Sequence, residues 1–404
     1  MNIYEKQLKI NSRNYLKIVN YLKSASGQVR LIGGIVRDSL LGIYKGDVDI
    51  VTDLLPEQVI EVLKTNKVKV IPIGITFGTV GAYISGELFE ITTLRNDFNC
   101  DGRHANVSFT NDFAIDASRR DFTINALSYC PFEHKIYDYF NGFADLQNKK
   151  VIFIGNPEER ITEDYLRILR FFRFSASYAK NFDKDCLAAC STHKAGLNKL
   201  SRERIKSEMD RIIIKENAKD TLEKMYNAGI IQQIFPITEY NPELFAASNQ
   251  FAKEIIKKEI SYITNYALLF SSLDNIDQAK LINLKFSRQE VKVICQMLEL
   301  TKCTNFGEFR PMLQKIWLQY DNFAQYFIFA ACFLRNKIKL TALYKNLIKR
   351  KKPVFPINGN IVMQQGIENE KIGKVIRFLE LKWLNSNFTL EKRQLLRMIK
   401  YYEK

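Results

Sequence analysis

The feature that most limits what this chain can fold into is a change of texture near residue 140. From residue 29 to about 139, short β-rich runs alternate with turns. The runs are 29–32, 48–51, 68–72, 79–84, 88–94 and 107–109, with one helix over 56–64 that opens on a proline. Residues 83–88 have the pattern of a hairpin with Gly86 at its turn. Past residue 140 the strands stop. Residues 157–179, 201–214 and nearly every segment from 219 onward carry a helical period, as does an amphipathic lead helix over 4–24. The expected class is therefore α+β: a small mixed sheet followed by an all-helical remainder.

The chain has 404 residues, 46% of them hydrophobic and 26% charged, which describes a globular protein with more than one core. It has no apolar run of about 18 residues, so no membrane span is expected. The first residues lack the apolar core of a secretory signal. Seven scattered cysteines without a CxxC pair read as free thiols in a reducing, cytoplasmic setting. The formal net charge of +16 suits a polyanionic partner, nucleic acid above all, although a lysine-biased composition gives the same sum.

Residues 31–53, LIGGIVRDSLLGIYKGDVDIVTD, hold the first chemistry. If 48–51 is a strand, Asp47 and Asp49 share one face, with Val48 and Ile50 buried on the other. Two adjacent carboxylates repel unless a cation lies between them, and hard oxygen ligands suit Mg²⁺, which also carries phosphates. Gly33 and Gly34 let backbone approach a phosphate, and Arg37 offers it a charged fork. These pieces read as a metal-dependent nucleotide site. Glu90, on the strand over 88–94, is either a third carboxylate beside the pair or a solvated strand residue.

Three further stretches bear on that site. In DASRRDFTINAL (116–127), Arg120 could clamp a triphosphate with Asp121 fixing its guanidinium; the same residues would also serve as a surface arginine pair with Asp121 capping a helix. In EDYLRILRFFRF (163–174), Asp164, Arg167, Arg170 and Arg173 recur every three residues around one helix face. Leu166, Leu169, Phe172 and Phe174 supply the packing. Arginine and aspartate together can read base edges, while a merely basic outer face is the plainer alternative. LRNDFNCDGRHA (94–105) reads as a loop that lets Asp97, Asp101 and Arg103 swing over a nearby site. His104 has no cluster of His or Cys around it, so zinc is not expected.

Taken in order, GGIVRDSLLG with DVD, IPIGITFGTV, FEITTLRND with DGRHA, RRDFTINAL, EDYLRILRFFRF and SRERIKSEMDRI resemble the class II nucleotidyltransferases of the polymerase β-like superfamily. Within it the chain is similar to tRNA CCA-adding enzymes and bacterial poly(A) polymerases. The likeness in motifs covers residues 29 to about 214; the remainder matches in length and helical character. The resemblance implies a nucleotidyltransferase head (29–139) after the lead helix (1–28). A base-recognising neck (140–215), a tRNA-binding body (216–350) and a tRNA-binding tail (351–404) would follow.

It also implies roles. Asp47 and Asp49, with Glu90 as a candidate third ligand, would hold two Mg²⁺ that activate the RNA 3′-hydroxyl and the leaving pyrophosphate. Gly34, Arg37 and Arg120 would contact phosphates. Asp164 and Arg167 would accept C or A and reject G and U, with Arg170 and Arg173 supporting that helix and the triphosphate. The stretch 201–211 would buttress it. Residues 71–74, 77–80 and 101–105 look more like the CCA-adding form. The implied activity is addition of C, C and A to the tRNA 3′ end from CTP and ATP, gripping acceptor stem and elbow. An A-adding enzyme or poly(A) polymerase is the alternative within enzymes, and a non-catalytic RNA-binding protein is the alternative outside them.

Overall fold

The computed structural model describes all residues except 11, 44–46, 99–105, 238, 274–276, 335–336 and 400–404. The chain divides into two compact units, Met1–Lys215 with Lys224–Phe235, and Glu216–Glu223 with Pro236–Lys404.

The first unit carries the sheet. Its strands are β1 (Asn2–Glu5), β2 (Val29–Ile32), β3 (Asp49–Thr52), β4 (Lys69–Gly74), β5 (Thr79–Ile84), β6 (Glu87–Thr93), β9 (Ser128–Cys130) and β10 (Lys135–Asp138), in the order β1-β10-β9-β2-β3-β6-β5-β4. A separate two-stranded hairpin pairs β7 (Arg95–Phe98) with β8 (Asn106–Phe109). All pairings are antiparallel except β3 with β6, which run parallel with Asp49 opposite Glu90. The β5–β6 turn falls on Ser85 (φ 52°) and Gly86 (φ 85°), the pair of positive φ values that a tight right-twisting hairpin needs.

Helices α1 (Asn14–Ser24) and α3 (Pro56–Thr65) pack on each other, α1 also on β2 and α3 on β4 to β6. Ile18, Val19, Leu22, Val59 and Leu63 are all buried there. Each large apolar side chain so buried contributes roughly 1.5–3 kcal/mol before entropy is counted. The lead segment is not helical throughout. Residues 2–5 pair with β10, Asn2 opposite Asp138, because that edge would otherwise present unpaired backbone groups. The helix begins only after Ser12, whose hydroxyl accepts from the Asn14 N–H at 3.1 Å. Strands β9 and β10 escape a reading of the sequence because they are three and four residues long and almost wholly buried, leaving no alternation to see.

The unit continues through α4 (Phe113–Ser118), α5 (Gly142–Gln147), α6 (Pro157–Glu163), α7 (Leu166–Tyr178), α8 (Lys184–Thr192) and α9 (Arg202–Ile213). The single helix expected over 157–179 is two, broken at Asp164, whose backbone is extended (φ −151°, ψ 106°). The rings of Phe122 and Phe153 lie 4.8 Å apart and tilted by 36°, and α7 is keyed to them through Phe171, 5.8 Å from Phe153, and Phe174, 5.3 Å from Phe122.

The second unit is helical among its described residues. Asn241 caps the helix Pro242–Phe251, and Ser287 with Glu290 forms a capping box at the start of Arg288–Leu300. Trp317, Tyr326 and Trp383 are core residues, as their helical spacing suggests. Among the described residues no helix is long and apolar enough to cross a membrane.

Candidate active site

Strand β2 ends in Gly33, whose φ of 71° and ψ of −125° turn the chain straight into α2 (Gly34–Leu40). A side chain at that φ is strained, so the turn calls for glycine. The bend brings α2 over a cavity of about 420 Å³ in the first unit. Gly33, Gly34, Arg37, Asp49 and Arg120 line it together with Asp164, Arg167, Arg170 and Arg173. Every residue expected to touch the nucleotide therefore meets Asp49 in one space. The strand that carries Asp49 and the helix that carries the arginine row are more than a hundred residues apart in sequence.

Of the two aspartates, only Asp49 lies in the strand and in the cavity lining. Val48 and Ile50 are buried, Asp49 is half-buried and Asp47 is exposed. The strand itself starts at Asp49, one residue later than expected, and Asp47 is not part of the cavity lining. Parallel register places Glu90 beside Asp49. Burial pushes the Asp49 carboxyl up to about 6, and the charges of Glu90 and Asp47 add to this while Arg120 opposes it. Such an excess of negative charge is what a bound divalent cation relieves. Among the described residues no three His, Cys, Asp or Glu side chains form a ready-made ligand set. A cation on Asp47 and Asp49 would therefore complete its shell from water or substrate oxygens, as Mg²⁺ does readily.

The arginine guanidiniums are held by a chain of buried and half-buried partners. Arg37, 6% exposed, donates from Nε to Asp38 Oδ1 at 2.8 Å and from Nη2 to Tyr178 Oη at 2.7 Å, and its Nη1 bonds the Asn125 side chain. The Tyr178 hydroxyl, pushed up to about 12 chiefly by burial, stays protonated and donates to Asp38 at 2.9 Å. Asn125 donates to Asp121 at 3.0 Å, and Asp121 accepts from Arg170 Nε at 2.7 Å. Glu208 on α9 then takes Arg173 at 2.6 Å. Asp121 thus fixes Arg170, correcting the expectation that it fixes Arg120. Arg120 instead donates to buried Asp116 at 3.0 Å. Proximity in sequence favoured Arg120, but Asp121 points toward α7 once Phe122 and Phe153 dock there.

Asp164 does not continue the arginine face, since it sits in the break before α7. Its Oδ1 accepts the Leu166 N–H at 3.0 Å and its Oδ2 accepts Arg204 Nη2 at 2.8 Å. Arg167 is oriented by the Arg160 carbonyl at 2.7 Å, Glu163 at 2.5 Å and the Arg119 carbonyl at 3.2 Å. The stretch 201–211 does buttress this helix, through Arg204 and Glu208. Phe174, expected on the packing face, also lines the cavity, with the Arg173 guanidinium 4.3 Å and the Arg170 guanidinium 5.2 Å from its ring centre. Lys215 lies in the same lining, its pKa lowered by burial and then by Arg173 and Arg37. That crowding of positive charge is what a polyphosphate would relieve.

Asp97 departs from its expected place. It lies in β7, not in a loop, paired with Arg95 at 3.1 Å and Arg119 at 3.4 Å. The apparent loop composition concealed a short polar hairpin stabilised by ion pairs. Asp101 and Arg103 lie outside the described residues. Tyr178, Asn125, Asp116, Arg204 and Glu208 were not singled out from the sequence. Tyr178 had a signal, being four residues after Phe174 and eleven after Arg167 on one helix face. Glu208 had another, a charge set among the apolar positions Ile205, Met209 and Ile212 of α9.

Residues 29–152 match the family model described as the Poly A polymerase head domain, and residues 181–241 match that of a probable RNA and SrmB-binding site of polymerase A. Over 382 residues, 92% of this chain and 86% of the relative, the sequence is 34% identical to CCA tRNA nucleotidyltransferase 1, mitochondrial, of Mus musculus. It is 31% identical to the CCA-adding enzyme of a Staphylococcus saprophyticus strain, over 70% of this chain and 68% of that one. The fold is that of the Bacillus stearothermophilus CCA-adding enzyme solved in complex with CTP, with a TM-score of 0.75 at 24% identity, covering 96% of this chain and 98% of that one. With identity above 30% across most of both chains and the family's head motifs gathered around one cavity, this chain belongs to the CCA-adding tRNA nucleotidyltransferases.

Proposed function

We propose that this protein completes the tRNA 3′ end, adding C, C and A from CTP and ATP without a nucleic-acid template. The observation that carries the reading is the single cavity in which Asp49 faces Arg37, Arg120, Asp164, Arg167, Arg170 and Arg173. Asp47 and Asp49 would hold Mg²⁺, with Glu90 beside them. When bound, the ion supplies Lewis-acid charge stabilisation at the reacting phosphate. Arg120 and Lys215 would bind the triphosphate, and Gly33 and Gly34 would admit it close to backbone. Asp164 presents acceptor oxygens and Arg167 donors, a pairing that suits the amino-bearing edges of cytosine and adenine. Arg170 and Arg173, locked by Asp121 and Glu208, would keep α7 and that base reader in place. Positioning and charge neutralisation account for most of the rate in such a transfer.

The parts 216–350 and 351–404 would grip the acceptor stem and elbow through phosphate and shape contacts, consistent with the chain's basic balance. Free thiols at Cys130, Cys186, Cys190, Cys295, Cys303 and Cys332 suit a reducing compartment, the cytoplasm or a mitochondrial interior such as the mouse relative's name gives.

The test is single-nucleotide incorporation on tRNAs ending in the discriminator base, in C and in CC. CTP should be used on the first two and ATP only on the third, with GTP and UTP refused. ATP uptake on CC ends alone, without any CTP uptake, would refute the full-CCA reading. Asp49→Ala should lower transfer by a factor of about 10³ or more while tRNA binding changes little, consistent with loss of a metal-linked electrostatic contribution of several kcal/mol.

A further inference from the structure

Arg120 reaches the cavity from the turn after α4, and one buried carboxylate decides where it points. Asp116 is 0% exposed and does not line the cavity. Its two oxygens are divided. Oδ2 accepts from Arg120 Nη2 at 3.0 Å, while Oδ1 accepts from Arg119 at 2.7 Å (Nη2) and 2.9 Å (Nε). Arg119 in turn reaches Asp97 Oδ2 at 3.4 Å, on the β7–β8 hairpin. Two further contacts tie the hairpin to the same group. Arg95 pairs with Asp97 at 3.1 Å, and the Arg95 backbone N–H donates to Asp116 Oδ1 at 3.4 Å.

Burial of a carboxylate and two guanidiniums is costly, and ion pairs of this kind add little net stability over apolar packing. Burial alone would raise the Asp116 pKa, yet Arg120 and Arg119 hold it below the usual carboxylate value, so it is a charged anchor. What the arrangement secures is direction. With Oδ1 saturated from the hairpin side, Oδ2 is left to aim a single guanidinium at the cavity.

We propose that Asp116 is a positioning residue for the incoming triphosphate, aiming Arg120 into the cavity and coupling it through Arg119 and Asp97 to the β7–β8 hairpin. This rests on the reading of the cavity as a nucleoside triphosphate site. Coupling of this sort is reciprocal: a displaced hairpin weakens triphosphate binding, and a bound triphosphate, by drawing on Arg120, favours one hairpin position.

The test is steady-state kinetics of ATP addition to a tRNA ending in CC, for the wild type, Asp116→Asn, Asp97→Asn and the double variant. Asp116→Asn is expected to raise KM for ATP about tenfold with kcat within about threefold and KM for tRNA unchanged, the split expected when ground-state and transition-state binding are lost together. Asp97→Asn should raise KM for ATP about threefold, and the double variant should be no worse than Asp116→Asn alone, since residues of one network are not additive. An unchanged KM for ATP in Asp116→Asn, a loss confined to kcat, or additive effects would overturn the proposal. If Asp116→Asn does not fold, the same cycle on Asp97→Asn and Arg119→Gln decides it: raised, non-additive KM values support the coupling, and unchanged or additive ones reject it. A wild type that incorporates no nucleotide and binds no ATP rejects the triphosphate reading itself, and the coupling with it.

Discussion

Asp121 shows how one buried carboxylate joins two parts of the site. It accepts from Arg170, from Asn125 and from its neighbour's N–H at 2.9 Å, and it is 7% exposed. Burial alone would raise its pKa, but Arg170 and the hydrogen bonds bring it below the usual carboxylate value. A depressed folded pKa contributes stability that is complete above the unfolded value near 4 and is lost as pH falls through the folded value. Asp121→Asn, which takes the charge from the buried partner of the half-buried Arg170 and leaves Glu208 at 4.0 Å, should cost about 1.5–3 kcal/mol at pH 7. The gap to the wild type should narrow below about pH 4, as followed by thermal unfolding across pH. A constant offset at every pH would show that the pair does not hold. At this scale the sequence named residues that meet in one cavity, but paired Asp121 with the wrong arginine. Arg120, Asp121 and Arg170 were all legible as site residues. The 49-residue gap between Asp121 and Arg170 carries no local signal, whereas Arg120 lies next to Asp121 in the chain.

Among elements, the break between α6 and α7 matters most. The apolar period runs through 157–179 without interruption, so a reading of the pattern sees one helix. The backbone leaves the helical region at Asp164, and the carboxylate then caps α7 and meets Arg204. The break turns Asp164 from a residue on the arginine face into a fixed acceptor at the start of that helix. Arg204→Ala removes a charge-assisted bond of about 1.5–3 kcal/mol that is partly screened where Arg204 is exposed. Discrimination of CTP and ATP against GTP and UTP should fall about tenfold, with KM for tRNA unchanged. Competition assays on tRNA ending in C, for CTP, and in CC, for ATP, would measure it; full selectivity in the variant would remove Asp164 from base reading. The strands around Asp49 were more legible than this helix. Alternation along 47–50 and the positive-φ turn at Gly86 each follow from a short local pattern, while β1, β9 and β10 depend on a sheet edge that only the folded chain supplies.

For the whole molecule, the motifs of residues 29–214 were legible because each is dense in charged residues, glycine or proline at fixed spacing. The second unit was legible only as helices. Its buried Trp317, Tyr326 and Trp383 describe a core and say nothing by themselves about RNA. If the cavity reads only C and A, the protein adds three nucleotides and stops. Sequencing the 3′ ends of a tRNA pool lacking CCA, after incubation with the purified protein, Mg²⁺ and all four nucleoside triphosphates, tests this most directly. Ends that finish uniformly in CCA are expected. Ends that stop at the discriminator base, gain only A on pre-existing CC, or grow into long A tails would contradict it.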